Sequence, residues 1–136
     1  MPSAVYGQQP VKLTGVITDT AITTALLFTF VKYSGDNKVT PCVAATDVPC
    51  GVVQALASIN EPVEVVALGE TQLQAGASLS AGQLIGTNGS GQAVHLVPGT
   101  DTTKYVVGQV KRVVGGTTAG DFITATVDCM APGRAA

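Results

Sequence analysis

Charge and aromatic side chains are scarce in this chain. Asp, Glu, Lys and Arg together make up 12% of its 136 residues, against a usual globular share of ~25%. Aromatic residues make up 4%, and there is no Trp. A surface this poor in charge carries little self-repulsion and much small apolar or hydroxyl area, as suits a subunit covered by neighbours in an assembly. The seven Lys and Arg are scattered, only Lys111 and Arg112 being adjacent, and the net charge is −2. Nucleic-acid binding draws on clustered cations that neutralise phosphates, so direct binding to nucleic acid is not expected.

Long apolar runs are missing too. The longest, Ala25 to Val31, is strand-sized, far short of the ~20 residues of a membrane span, so no membrane partner is expected. The opening Met-Pro-Ser-Ala-Val-Tyr lacks the basic and apolar regions of a secretory signal, which predicts synthesis in the cytoplasm. His95 is the one histidine. A Ser-His-Asp or Cys-His pairing must use it, yet it lies mid-strand with no motif around it, and the chain does not read as an enzyme. Three cysteines, Cys42, Cys50 and Cys129, cannot all pair within one chain, and without an export signal they read as buried reduced thiols. Zinc would want a fourth nitrogen or sulfur ligand that His95 is not spaced to give, so neither metal nor cofactor is expected. Glu61, Glu64 and Glu70 cluster around one strand, where they read as polar punctuation of strand ends and not as a paired acid and base.

What is present is glycine, 16 residues, and a hydrophobic content of 46% carried by Val, Ala, Leu and Ile. Residues Leu27 to Gly69 and Leu84 to Asp128 run through a similar order of signals. The turn GDNKV (Gly35 to Val39) parallels GSGQAV (Gly89 to Val94), CGVVQ (Cys50 to Gln54) parallels VGQV (Val107 to Val110), and VEVVAL (Val63 to Leu68) parallels FITATV (Phe122 to Val127). The offset is 55 between Val39 and Val94, 57 between Gly51 and Gly108, and 58 between Val65 and Ile123. Two copies of a small β unit, neither able to bury its apolar face alone, would form one compact domain around a pseudo-two-fold core.

Strand-sized runs recur every ~8 to 12 residues with almost no amphipathic helix, which predicts an all-β fold, a small β-sandwich or β-barrel-like domain. Strands are expected at Val11 to Val16, Ala25 to Lys32, Lys38 to Ala44, Cys50 to Ala55, Val63 to Leu68, Gln92 to Val97, Tyr105 to Val114 and Asp121 to Asp128. Val63 to Leu68 is nearly continuously apolar, hence buried on both faces or central in its sheet. Gly69 to Gly86 suits a wrap of short strands and turns, with room for one helical turn within Thr71 to Ser80. The expected organisation is one domain over 1–136: an extended N-terminal arm and first strand over 1–16, a β-core over 17–128 and a free C-terminal tail over 129–136.

The cadence LSAGQLIGTNGSGQAVHLV, then YVVGQV, then TAGDFITATVD resembles the C-terminal half of the small head decoration, or cement, proteins of tailed bacteriophages. The resemblance covers Leu79 to Val127, and Val39 to Leu68 fits the family's first copy more loosely. It implies a β-rich homotrimer on the outer surface of the expanded shell, bound to the major capsid protein and locking its neighbouring copies together, with no catalytic residues. The unpatterned arm suits β-augmentation on a neighbour, with Pro2, Val5, Tyr6, Gln8, Gln9 and Pro10 as expected capsid contacts. The alternative is a virion-surface β module that binds host glycan or receptor. Clustered exposed aromatics should mark such a module, and the chain has only Tyr6, Tyr33 and Tyr105 beside three Phe.

Overall fold

The computed structural model describes residues 10–113 and 118–136. Among them no helix forms and twelve strands do: β1 (Val11–Lys12), β2 (Ile17–Thr18), β3 (Phe30–Gly35), β4 (Lys38–Pro41), β5 (Gly51–Val53), β6 (Val65–Gln74), β7 (Leu84–Thr87), β8 (Ala93–His95), β9 (Tyr105–Val106), β10 (Gly108–Arg112), β11 (Phe122–Asp128) and β12 (Gly133–Arg134). The fold is all-β and sandwich-like. Its main sheet runs β2-β4-β3-β5-β6-β11-β10-β7-β8, with β1 alongside β6; it is mixed and does not close into a barrel.

This order is a palindrome of two units. Going outward from the β6–β11 pair, β5, β3 and β4 on one side match β10, β7 and β8 on the other, with every step antiparallel. The correspondence extends to the edges. Thr18 of β2 lies parallel to Val39 of β4, and Ala75, just past β6, bridges Ala93 of β8 in parallel. Strand β6 serves both units, pairing with β5 and β1 through Val65, Val66 and Leu68 and with β11 from Leu68 to Gln74. The register refines the equivalences drawn from the sequence. Gly51 and Gly108 do correspond, facing Val31 and Ile85, but Val39 matches Ala93, not Val94, and Val65 matches Ala125, not Ile123.

Close approach explains why glycine stands at both corresponding positions. A Cβ on Gly51 would lie 2.3 Å from Val65 Cγ1 and 2.6 Å from the Val66 carbonyl oxygen, and one on Gly108 would lie 2.8 Å from the Thr126 carbonyl oxygen. Each β10-type strand thus presses its backbone onto the next strand where a side chain would pry them apart.

The units differ in how they bury their faces. Alternate residues of the first unit point into two clusters. Val31, Val53 and Val65 join Val16, Ile22, Val39, Cys50 and Val63, while Phe30, Val52 and Val66 join Leu73, Ile85, Val107, Ile123, Ala125 and Val127. Both faces of β5 and of the start of β6 are therefore dry, and this is why their sequences are continuously apolar. In the second unit β11 alternates: Ile123, Ala125 and Val127 are buried, and Phe122, Thr126 and Asp128 are exposed.

Several expected elements are redrawn. The strand expected at Ala25 to Lys32 starts only at Phe30; residues 24–28 form a turn in which Phe28 takes a φ of 61°. Backbone and side-chain bonds hold that turn together: the Leu26 amide donates to the Thr23 carbonyl (3.0 Å) and the Phe28 amide to the Val53 carbonyl (3.0 Å). Gln74 Nε2 donates to the carbonyls of Ala25 (3.0 Å) and Leu27 (2.8 Å), and Thr29 Oγ1 donates to that of Leu26 (2.7 Å). Strand β6 runs on to Gln74, where a wrap of short turns with a helical alternative was expected, because its later residues find β11 as a partner. The segment expected as a free C-terminal tail is tied down: β12 pairs with β9, the Ala135 amide donates to the Lys104 carbonyl (2.9 Å), and Ala135 is buried. Of the first strand expected over Val11 to Val16, only Val11–Lys12 forms a strand, and Ile17–Thr18 makes a separate one just beyond it.

Candidate interaction face

The outward sides of β6, β11 and β10 form a single solvated face. Register places Gln72, Thr124 and Arg112 in one row, and Glu70, Thr126 and Gln109 in the next, which Leu84 of β7 extends. Leu68 and Asp128 form the last row. Strand alternation puts all of these on the side away from the core. Thr and Gln dominate the middle, where the Lys111 ammonium pairs with the Glu70 carboxylate.

The two ends of the face are apolar and differ in shape. At one, Phe122 stands 52% exposed, its ring meeting that of Phe28 edge to face with centroids 5.7 Å apart. A small cleft of about 230 Å³ beside it is lined by Gln72, Arg112, Phe122, Ile123 and Thr124. At the other end a groove of about 390 Å³ runs between Leu68, Leu84, Val106 and Ala131, with Thr126 and Asp128 on its wall. A polar, lightly charged middle between apolar ends has the make-up of a recognition surface, since depletion of charge is what marks the buried centre of protein contacts.

Of the expected contact residues, Pro2, Val5, Tyr6, Gln8 and Gln9 lie outside the described residues. Pro10 is half-buried, and its Cβ would meet a Cβ added to Gly69 at 2.9 Å. The chain enters the fold there and pairs Val11 with Leu68, so the arm is rooted beside the groove. The face was not among the expected sites, though FITATVD carries its signal: strict alternation of Phe122, Thr124, Thr126 and Asp128 with buried neighbours.

The remaining chemistry-bearing residues have structural work. Glu61 Oε1 accepts from the Ser58 amide (2.8 Å), and Glu64 pairs with Lys12 (3.0 Å). His95 is exposed on β8. Cys42, Cys50 and Cys129 are buried and unpaired. Burial pushes the thiols of Cys42 and Cys50 up to about 12 and that of Cys129 further in the same direction, so the nucleophilic thiolate is suppressed. Asp47 organises the loop after β4. Its partial burial favours the neutral acid, but hydrogen bonds from the amides of Val43 (2.9 Å) and Ala44 (3.0 Å) and from Lys32 (3.1 Å) outweigh that and hold its pKa below the usual value. No cluster of metal-ligating side chains forms among the described residues.

No family model matches the chain, and no curated protein matches it. Among solved structures it is similar to the crystal structure of the head fiber gp8.5 N base in bacteriophage phi29. The two share a fold with a TM-score of 0.63 over 89% of this chain and 96% of that one, at 19% sequence identity.

Proposed function

We propose that this protein is a structural component of a tailed-bacteriophage virion, without catalytic activity. It is made in the host cytoplasm and seated as a homotrimer on the outer surface of the head, where it cements neighbouring major capsid subunits. The observation that carries this reading is the fold shared, nearly end to end in both chains, with the base of a phage head fiber. Low charge, a hydroxyl-rich exposed face and thiols kept in the unreactive form support a building block over an enzyme.

The mechanism is thermodynamic. A site that spans two or three shell subunits exists only in the assembled lattice, so each bound copy adds its binding free energy to that state alone. Stabilisation then grows with the logarithm of free protein concentration over its dissociation constant, about 2.7 kcal/mol per site at a hundredfold excess. Repetition over many lattice positions multiplies modest contacts into firm retention, and these contacts oppose the outward pressure of packaged DNA.

The test is co-sedimentation with empty expanded shells, followed by heating of DNA-filled heads with and without the protein. Saturable binding to shells and a higher temperature of DNA release are expected. Equal DNA retention in the two samples removes the cementing function.

A further inference from the structure

Three carboxamide side chains form a hydrogen-bonded chain that ends on the turn over residues 24–28. Gln74 Nε2 donates to the carbonyls of Ala25 (3.0 Å) and Leu27 (2.8 Å), which can only accept, so Gln74 Oε1 is the acceptor for Gln92 Nε2 (3.2 Å). Gln92 Oε1 then faces Asn88, whose Nδ2 lies 3.5 Å away. The far end is fixed as firmly. Asn88 Oδ1 accepts from the amides of Ser90 (2.8 Å) and Gln92 (2.9 Å), which leaves Nδ2 to point at the Gln92 side chain. The donors therefore all run one way, from Asn88 through Gln92 and Gln74 to the turn that carries Phe28, whose ring props Phe122.

Asn88 is also the one asparagine of three that precedes glycine; Lys38 follows Asn37 and Glu61 follows Asn60. With no Cβ, glycine leaves its backbone nitrogen open to reaction. Gly89 is exposed, and its amide donates to no acceptor among the described residues. Attack of that nitrogen on Asn88 Cγ closes a five-membered ring and puts negative charge on Oδ1, where the Ser90 and Gln92 amides already stand as donors.

We propose that Asn88 is a site of spontaneous covalent modification, deamidation through a cyclic imide with Gly89, and that the product loosens the turn beneath Phe122. Hydroxide or a buffer base removes the Gly89 N–H proton and the nitrogen bonds to Asn88 Cγ. The Cγ–Nδ2 bond breaks, and the departing nitrogen takes up a proton and leaves as ammonia. Water then opens the imide at either carbonyl, giving aspartate or isoaspartate at position 88. The product has lost the Nδ2 donor, and its carboxylate faces Gln92 Oε1. If Gln92 rotates to donate to it, Gln92 Oε1 meets Gln74 Oε1; if Gln74 rotates as well, its oxygen meets the carbonyls of Ala25 and Leu27. Every arrangement sets two acceptors face to face. The isoaspartate also lengthens the main chain in the loop whose Gly91 carbonyl holds the Phe30 amide (2.8 Å). This chemistry belongs to the single chain and does not depend on shell binding, so either can fail alone.

The experiment follows peptide masses of the full chain held at mildly alkaline pH, natively folded and unfolded in urea. The native chain is expected to gain one mass unit and isoaspartate at Asn88 and not at Asn37 or Asn60. Gly89→Ala, whose Cβ would meet nothing closer than the Val43 carbonyl oxygen at 3.5 Å, should fold normally and slow the conversion. Asn88→Asp stands in for the product. It should lower the melting temperature by about 3 °C or more and speed hydrogen exchange at the Leu26 and Phe28 amides but not in β10. In a Gln92→Ala background most of that difference should vanish, because the carboxamide chain is already cut. An Asn88 that stays intact in the native chain while the unfolded chain converts overturns the proposal. So does an Asn88→Asp variant that melts and exchanges like the unmodified chain, or one whose effect is the same with and without Gln92.

Discussion

Replacing Gly51 by Ala tests how tightly the first unit is closed. The new Cβ would sit 2.3 Å from Val65 Cγ1 and 2.6 Å from the Val66 carbonyl oxygen. The valine methyl can swing only into a core without free space, and the carbonyl belongs to the β5–β6 ladder, where Val52 faces Val66. Relief therefore requires the two strands to separate locally. Overpacking of this kind costs up to about 3 kcal/mol, and weakening one ladder hydrogen bond costs about 1 kcal/mol more. The stiffer unfolded chain offsets ~0.5–1 kcal/mol, leaving a net loss of about 3 kcal/mol. At Gly108 the nearest atom is the Thr126 carbonyl oxygen at 2.8 Å, with Val127 Cγ1 at 3.2 Å. The strands must still give there, but by less than at Gly51, and Gly108→Ala should cost about 1–2 kcal/mol. Urea denaturation of both variants measures the order directly, at unchanged m-value. Val65→Ala removes the methyl nearest the new Cβ, so the cycle with Gly51→Ala should show a favourable coupling of at least ~1 kcal/mol. Additivity within ~0.5 kcal/mol, or a Gly108→Ala loss equal to that at Gly51, refutes the close-approach reasoning.

Gln74→Leu keeps the side-chain volume but strips the Ala25 and Leu27 carbonyls of their donor and Gln92 Nε2 of an acceptor at 3.2 Å; Ala25 is exposed and Leu27 and Gln92 are half-buried, so water replaces part of what is lost, and at ~0.5–1.5 kcal/mol per hydrogen bond a loss of about 2–3 kcal/mol is expected in the same assay. Asp47 titrates below its ordinary value because its carboxylate is held by the Val43 and Ala44 amides and Lys32. A depressed folded pKa contributes stability that is present above about pH 4 and lost as pH falls through the folded value, so Asp47→Asn should lower stability at pH 7 and flatten its decline between about pH 4 and pH 2. Equal acid sensitivity in the two proteins counts against that role. The three buried thiols should react with a disulfide reagent at pH 8 only after denaturant is added, even though Cys50 and Cys129 reach a surface groove of about 380 Å³; rapid labelling of the native chain refutes their assignment as inert core residues.

Much of the fold was legible because β-structure writes its burial into the sequence. The nearly continuous apolar run Val63 to Leu68 signalled two dry faces, and Val65, Val66 and Ala67 are buried. The Asp36-Asn37 turn signalled positive φ, and Asn37 has it. The turn at residues 24–28 was illegible for the opposite reason. An apolar run ending in two Phe looks like a strand, and part of what holds its bend is remote in sequence: hydrogen bonds from Gln74, forty-nine residues beyond Ala25, and a bond from the Phe28 amide to the Val53 carbonyl. The docked C-terminus escaped notice because Pro132 and Gly133 resemble tail punctuation, whereas only two residues, Gly133 and Arg134, need to pair with β9 to hold it. The interaction face was half legible. Alternation in β11 declares a wet side, but which strands lie beside it depends on the β6–β11 pairing, a contact between the two units that neither repeat contains by itself.

That pairing also decides where a partner can bind. In a chain built from two similar units, either could present the working surface. Sharing β6 makes them unequal, because the second unit's core closes over the outer faces of Phe30, Val52 and Val66 in the first. The first unit's central strands are thus sealed on both sides. The second unit is covered on one side only, and its long central strands β6 and β11 keep the other face free together with β10. Exposed Thr, Gln and a single ion pair on that face hold it in solution without the cost of stripping many charges when it is covered. The asymmetry follows from the register at Leu68, where β6 pairs with both Val11 and Asp128. A change that weakens that junction, such as Leu68→Asp, should loosen the groove while leaving the first unit's dry cluster intact. Hydrogen exchange would then rise in β11 and β10 but not in β3 and β5; a uniform rise across both units would mean that the shared strand does not divide the labour in this way.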